Sequence, residues 1–277
     1  MIILAGTPLG NLGDASPRLR DALETATVIA AEDTRTTTHL LRALGIANRP
    51  RLIALHEHNE SERAGDLVEL ARDTDVLVMS DAGMPAISDP GYVLVRAAID
   101  AGVTVTAIPG PSAVTTALAL SGLATDRFTF EGFLPRRAAE RRRALGALTT
   151  ERRTMVFFES PHRLAAALTD LAGVLGADRR VAVARELTKL HEEVRRGTAT
   201  ELAQWAEGGV KGELVLVIEG AAEASADPDA ALAQVLELVA GGTRLKDAAA
   251  TVSMQTGLSQ RDLYEGALAA KQGNTRE

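Results

Sequence analysis

The sequence predicts an α/β protein made of two α/β domains, residues 1–122 and 123–222, followed by a small helical domain over 230–270. Three observations lead there. Short apolar runs alternate with amphipathic ones through the first 222 residues, the pattern of strands and helices in α/β layers. Glycine- and proline-rich turns cluster just after several of the strand-like runs. Beyond a stretch rich in Ala, Glu and Asp at 221–229, which reads as a linker, the apolar residues take helical spacing.

In the first domain strands are expected at 2–5, 28–31, 51–54, 76–79 and 103–108, with helices at 17–24, 36–44, 60–72, 91–101 and 112–120. Ser16 before Pro17 is a clear helix start, a hydroxyl cap followed by a proline whose missing N–H costs nothing there. In the second domain strands are expected at 128–131, 154–159, 181–184 and 213–219, and helices at 138–148, 161–175 and 198–208. In the tail Leu245, Ala248, Ala249 and Val252 keep helical spacing. Gly257 is expected to end that helix, and Ser259 with Asp262 to begin another through a capping box, giving a helix-turn-helix-like unit.

Composition narrows the function. Aromatics make up 3% of the 277 residues, so the core must be aliphatic. The absence of cysteine excludes disulfides, thiolate zinc sites and a cysteine nucleophile, and it suits a reducing, cytoplasmic setting. The opening apolar run stops at Gly6-Thr7-Pro8, too short for a secretory signal, and the apolar region 103–123 is interrupted by Pro109-Gly110-Pro111, so no membrane is expected. A net charge of −7 argues against general nucleic-acid binding. Positive charge is clumped, however, at Arg136, Arg137, Arg141, Arg142 and Arg143: either a local contact to RNA phosphates or a solvated helix face. The last helix carries few cations for a major-groove reader, so no DNA partner is expected.

Open α/β sheets bind ligands beyond the carboxyl ends of their strands. Here those ends carry Gly6-Thr7-Pro8-Leu9-Gly10-Asn11, Ser80-Asp81-Ala82-Gly83-Met84-Pro85 with Ser88-Asp89-Pro90-Gly91, Pro109-Gly110-Pro111-Ser112-Ala113, and Ser160-Pro161-His162-Arg163. Glycine lets a ligand approach the backbone and proline fixes the loop beforehand, so four such loops on one edge suggest a cradle for a polar ligand of medium size. None is a dinucleotide fingerprint or a Walker A loop. Asp89 precedes Pro90 and reads as a turn residue rather than a magnesium ligand, and His56-Glu57-His58 lacks a third ligand, so no metal is expected.

These runs, joined in order by Ala31-Glu32-Asp33-Thr34-Arg35, Phe158-Glu159 before Ser160, Arg185-Glu186-Leu187-Thr188-Lys189 and Lys211-Gly212-Glu213, closely resemble the tetrapyrrole-methylase-like superfamily, and within it the members that methylate small-subunit ribosomal RNA. The likeness spans essentially the whole chain. It implies two α/β domains of tetrapyrrole-methylase type with the cofactor cleft between them, and S-adenosylmethionine bound folded. By position, Pro8, then Ser80, Asp81, Ala82, Gly83 and Met84, then Ser112 and Ala113 would line the donor site. Phe158, Leu187, Lys211, Gly212 and Glu213 would complete it. Met84 stands where the superfamily usually has threonine. The resemblance further implies a homodimer that methylates the ribose 2′-hydroxyl of a cytidine, number 1402, in 16S rRNA.

A ribose hydroxyl is a poor nucleophile, so a base or helping charge is expected as its proton leaves. Glu32, Asp33 and Lys189 are the candidates, with Arg35 to grip a phosphate bidentately. For Asp33 the alternative is a cap on the helix expected near Thr36. For Lys189 it is a phosphate contact or an ion pair with Glu192 or Glu193. Arg136, Arg137, Arg141, His162 and Arg163 are the expected RNA-contacting residues. Rival readings are a corrin-precursor or diphthine methyltransferase, and a non-catalytic RNA-binding or regulatory protein.

Overall fold

The computed structural model describes residues 1–222, 227–256 and 258–273. The middle of the expected linker and the helix end at Gly257 therefore lie outside the described residues. The chain forms two compact units, Met1–Gly220 and Ala221–Glu277.

The first unit holds two five-stranded sheets. The first is built from β1 (Ile2–Ala5), β2 (Val28–Ala31), β3 (Arg51–Ala54), β4 (Val76–Met79) and β5 (Val105–Ile108) in the order β3-β2-β4-β1-β5, with every pairing parallel. Helices α1 (Pro17–Thr25), α2 (Thr34–Ala43), α3 (Glu60–Asp73) and α4 (Tyr92–Asp100) make its crossovers. The two faces of the sheet bury separate aliphatic cores, one around Ile2, Val28, Val76, Leu67 and Leu94, the other around Ile29, Leu77, Met79, Leu19 and Leu23. Four expected strands have the bounds the alternation gave. The fifth is shorter because Val103 closes α4 instead: its N–H bonds Ala98 O at 2.8 Å beside Gly102 at φ 69°.

The second sheet is mixed. It consists of β6 (Phe128–Phe133), β7 (Thr154–Glu159), β8 (Arg180–Arg185), β9 (Glu193–Thr198) and β10 (Leu214–Ile218), ordered β6-β7-β10-β8-β9. Only β6 and β7 run parallel. Strand β9 is absent from the sequence-based expectation because it is a charged edge strand, Glu-Val-Arg-Arg-Gly-Thr, whose polarity guards the open side of the sheet. Helices α6 (Ala138–Gly146), α7 (Leu164–Leu175) and α8 (Ala199–Ala206) cover one face, and Thr198 and Glu201 form a capping box at the start of α8. The other face takes α5 (Ala113–Ser121), whose Val114, Ala117 and Leu118 pack on Val156, Ala182, Val215 and Val217. Helix α5 thus leaves the last strand of the first sheet and rests on the second. Burying such aliphatic side chains is worth roughly 1.5–3 kcal/mol each for the larger ones, which ties the two sheets into one unit.

The second unit is a bundle of α9 (Pro228–Ala240), α10 (Leu245–Thr256) and α11 (Gln260–Gly273) around Ala231, Val235, Ala248, Ala249, Val252, Leu263 and Ala267. Asp262 N–H donates to Ser259 Oγ at 3.3 Å, one half of the expected capping box. No helix among the described residues is long and apolar enough to cross a membrane.

Candidate active site

The loops leaving β1, β4 and β5 meet through their backbones. Thr7 N–H donates to Gly83 O at 2.8 Å and Gly83 N–H to Thr7 O at 3.1 Å, a two-way bridge that joins the first and second of these loops. The buried Thr7 hydroxyl donates to Ser80 O at 3.3 Å. Gly6 and Gly110 lie back to back: a Cβ on either would sit 2.7 Å from backbone atoms of the other, and one on Gly6 would also meet Met84 Sδ at 2.7 Å. Glycine at both positions is what allows the loops after β1 and β5 to touch.

Against this backbone wall stands a cavity of about 390 Å³, within the size range of small-molecule sites. Ala82, Gly83, Met84, Ser112 and Ala113 line one side, and Phe158, Leu187, Gly212 and Glu213 the other, so nine of the expected donor residues share one cavity. Pro8, Ser80, Asp81 and Lys211 do not line it. Pro8 is buried and its neighbour Leu9 lines the cavity instead, while Ser80 is buried with its carbonyl accepting the Thr7 hydroxyl. Lys211 is exposed and offers only its carbonyl, to Arg185. Asp81 faces the Thr36 hydroxyl and Asp33; burial, then the Asp33 charge, raise its pKa.

The cavity also takes in Leu9, Ile87, Asp89, Val114, Phe133, Glu159, Ser160, Pro161, Leu214 and Val215, none of which was singled out as a donor residue. One signal existed for Phe133: the chain has five phenylalanines, and Phe130 and Phe133 meet Phe158 edge to face at ring separations of 5.0 and 5.5 Å. Glu159 carries more chemistry. Its Oε1 accepts Ser160 N–H at 2.6 Å and pairs with Arg163, while its Oε2 is buried without a hydrogen-bond partner. An unpartnered carboxylate oxygen buried behind the cavity lining fits a ligand that presents N–H or O–H donors. An adenosyl group presents both.

A second, acidic edge adjoins the first. Glu32, at the end of β2, accepts Asp81 N–H at 3.1 Å, and burial raises its pKa. Asp33 is the N-cap of α2: it accepts Arg35 N–H at 2.8 Å and binds the Arg35 guanidinium at 2.6 Å. That hydrogen bonding to Arg35 lowers its pKa to about 2, a poor value for a base. The Arg35 side chain is 90% exposed despite this pair, so it stays within reach of a phosphate. Asp89 lines both the cavity of about 390 Å³ and a hollow of about 340 Å³ that it shares with Glu32, His56, His58 and Glu60. Burial, then the Glu32 charge, push its pKa up to about 6.

Three expected roles need correction. Lys189 bonds Glu213 at 2.7 Å and Glu186 at 3.2 Å rather than Glu192 or Glu193. Partial burial works to lower its pKa, but the two carboxylates outweigh that and hold it above the ordinary lysine value, so it stays protonated and is no base. Arg141 is 5% exposed and lies on Asp170 at 2.6 Å, with Pro135 and Arg136 carbonyls completing its shell; it stitches the start of α6 to α7 and cannot meet RNA. Arg163 is occupied by Glu159 and by the Leu134 carbonyl at 3.1 Å. Arg136, Arg137 and His162 are exposed, as an RNA contact requires, and Arg136 and His162 flank a single hollow. No group of three or more His, Cys, Asp or Glu among the described residues could hold a metal ion.

The chain is similar over most of its length to known proteins. The family model described as Tetrapyrrole (Corrin/Porphyrin) Methylases matches residues 1–203. A Mycobacterium bovis protein named ribosomal RNA small subunit methyltransferase I is 53% identical over 272 residues, covering 98% of this chain and 95% of that protein. An Escherichia coli O157:H7 protein of the same name is 43% identical over 271 residues, covering 96% and 94%. Among solved structures, uroporphyrin-III C-methyltransferase from Thermus thermophilus, complexed with S-adenosyl homocysteine, has a TM-score of 0.55 at 18% identity and covers 79% of this chain and 96% of its own.

Proposed function

The chain belongs to the tetrapyrrole methylase family, grouping there with the ribosomal RNA small subunit methyltransferase I proteins, and on that premise we propose that it methylates ribosomal RNA from S-adenosylmethionine, at the ribose 2′-hydroxyl of cytidine 1402 in 16S rRNA. The observation that carries the reading is the cavity lined by nine of the expected donor residues, with the bridged glycine loops on one side and the unpartnered Glu159 oxygen buried behind the other.

S-adenosylmethionine supplies a methyl group on a sulfonium centre, ready for in-line displacement. The chain's own part is chiefly alignment, which can account for about 7–11 kcal/mol of a barrier. The loops at Ala82–Met84 and Ser112–Ala113 would hold the donor through backbone and apolar contact, with Phe158 as an aromatic surface for it. Glu159 Oε2 would accept a hydrogen bond from it. Glu32 faces the acceptor side, and the exposed Arg35, Arg136, Arg137 and His162 meet the RNA. Lys189 remains a cation that braces Glu186 and Glu213. In this reading the lobes 1–122 and 123–222 form the catalytic body, 230–270 is a separate helical domain, and the protein works as a cytoplasmic homodimer on the small ribosomal subunit.

The test is methyl transfer from labelled donor to 16S rRNA, naked and assembled into the small subunit, with nucleoside analysis of the digest. Label on the cytidine ribose is expected. Label on a base atom, or no transfer to either form of the RNA, would overturn the reading.

A further inference from the structure

We infer that Asp89 takes up the proton of the acceptor hydroxyl, and that the hollow it shares with Glu32 seats the acceptor nucleoside. The inference deepens the function proposed above and rests on it. Asp89 is a single residue in the lining of two spaces, the donor cavity and the hollow lined by Glu32, His56, Glu57, His58, Glu60, Ser88 and Pro90. A proton acceptor for transfer between two substrates belongs where their sites adjoin.

The loop that presents Asp89 is held firmly. Ala86 and Ser88 adopt left-handed backbone, φ 70° and 63°, a conformation that non-glycine residues keep only when the surroundings impose it. Ala86 N–H closes the loop on Pro90 O at 3.1 Å. Buried Glu60 receives the N–H groups of Gly91, Val93 and Leu94 on one oxygen at 2.8, 2.9 and 3.2 Å, which anchors the chain just past Asp89.

Charge selects what enters the hollow. Its lining holds carboxylates and two histidines but no lysine or arginine, so a phosphate is repelled. A cytosine amino group and ribose hydroxyls are donors that carboxylates accept, and unstacked bases pack on aromatic rings such as the His56 and His58 imidazoles, 6.1 Å apart. The groups that face Asp89 are Glu32 from the end of β2, Asp81 and the Ser80 hydroxyl from the end of β4, and His56, Glu57, His58 and Glu60 around the start of α3. Glu159 and Glu213 face the donor cavity from the second sheet. Burial and the neighbouring carboxylates raise the Asp89 pKa to about 6, and the Ser80 hydrogen bond opposes them. At neutral pH Asp89 is therefore ionised and a stronger base than an ordinary aspartate. In the step, the ribose oxygen forms the new O–CH3 bond while the S–CH3 bond breaks with its electron pair on sulfur, and the hydroxyl proton passes to the Asp89 carboxylate.

The test compares wild type with Asp89→Asn in three measurements. Turnover at pH 8 with both substrates saturating should fall about 100-fold or more, with donor affinity unchanged within about threefold. The wild-type rate should rise with pH and level off above about 6, and the residual rate of the variant should lack that inflection. Thermal midpoints should run the other way. A raised pKa means the ionised side chain weakens the folded state above about pH 6, so Asp89→Asn should melt higher at pH 8, with the gap closing as pH falls from about 6 towards the ordinary value of 3.8. For the nucleoside seat, His56→Ala and His58→Ala should raise the KM for RNA more than they lower kcat. An Asp89→Asn enzyme with wild-type turnover and inflection would overturn the proton-acceptor role, and a KM unmoved in both histidine variants would overturn the seat. Failure of the wild type to methylate ribose, with donor bound and the thermal pattern intact, would instead overturn the function on which the inference rests.

Discussion

The two walls of the cavity proposed for the methyl donor are made of different material. The wall from the first sheet is backbone: Gly6 against Gly110, Thr7 bridged to Gly83, loops whose shape depends on side chains being absent. The wall from the second sheet is side chain: Phe158 and Val215 come from β7 and β10, and buried ion pairs stand behind them, Arg163 on Glu159 and Arg141 on Asp170. A backbone wall tolerates no added atom, whereas a side-chain wall tolerates no lost partner. Each should therefore fail to a different kind of substitution.

The largest effect is expected behind the side-chain wall. Arg141→Ala strands the nearly buried Asp170, and breaking such a pair costs about 3–5 kcal/mol. Arg142, at 3.1 Å from the same carboxylate, should hold the loss near the lower figure. Chemical denaturation measures it, and RNA affinity of the folded fraction should keep its salt dependence, because Arg141 meets no phosphate. A stable Arg141→Ala protein with a shallower salt dependence would return this residue to the RNA surface.

Glu159→Gln comes next. If the open Oε2 receives a hydrogen bond from the donor, loss of the charge should weaken donor binding by the roughly 1.5–3 kcal/mol of a charged hydrogen bond, about 10- to 100-fold by calorimetry. On the backbone wall, Gly110→Ala inserts a methyl group 2.7 Å from Gly6, and overpacking of this kind costs about 1–3 kcal/mol. Donor affinity should fall with the thermal midpoint in both variants, because Glu159→Gln also takes the carboxylate from Arg163. Stability should keep its wild-type pH dependence in Gly110→Ala and lose the ion-pair part of it in Glu159→Gln. Equal pH dependence of the two variants would erase the contrast between the walls.

Lys189→Met should do least. The lysine pKa is raised by its carboxylate partners, so any stability it contributes is fully present below about pH 10 and is lost only as pH rises through the raised value. Rate–pH profiles of the variant and wild type should therefore have the same shape between pH 5 and about 9. A lost inflection in that range would restore Lys189 as a base.

The same contrast explains what was legible in the sequence. Parallel strands buried on both faces read as unbroken apolar runs, and glycine and proline mark backbone that must bend or touch, so β1 to β4 and the first wall stood out. The second wall did not. Glu159 and Val215 sit in strands that look like any others, and only the fold brings these residues to the cavity. Strand β9 was hidden by its charges. Asp89 was read from its neighbour Pro90 as a turn residue; it does occupy a turn, but its position between two cavities depends on Glu60, which lies 29 positions away. Asp81 shows the converse, a residue in a recognisable motif whose side chain faces Thr36 and Asp33 and not the donor space.

The central claim is that the space between these walls holds the methyl donor. Ser112 offers the most direct test, because it lines the cavity and caps α5 without a side-chain hydrogen bond, so a large residue there fills space and breaks no cap bond. Calorimetric titration of S-adenosylmethionine into wild type and Ser112→Trp should give one site per chain in the wild type and none in the variant, with both proteins folded. A folded Ser112→Trp protein that binds the donor as tightly as wild type, or a wild type that does not bind it, would contradict the account.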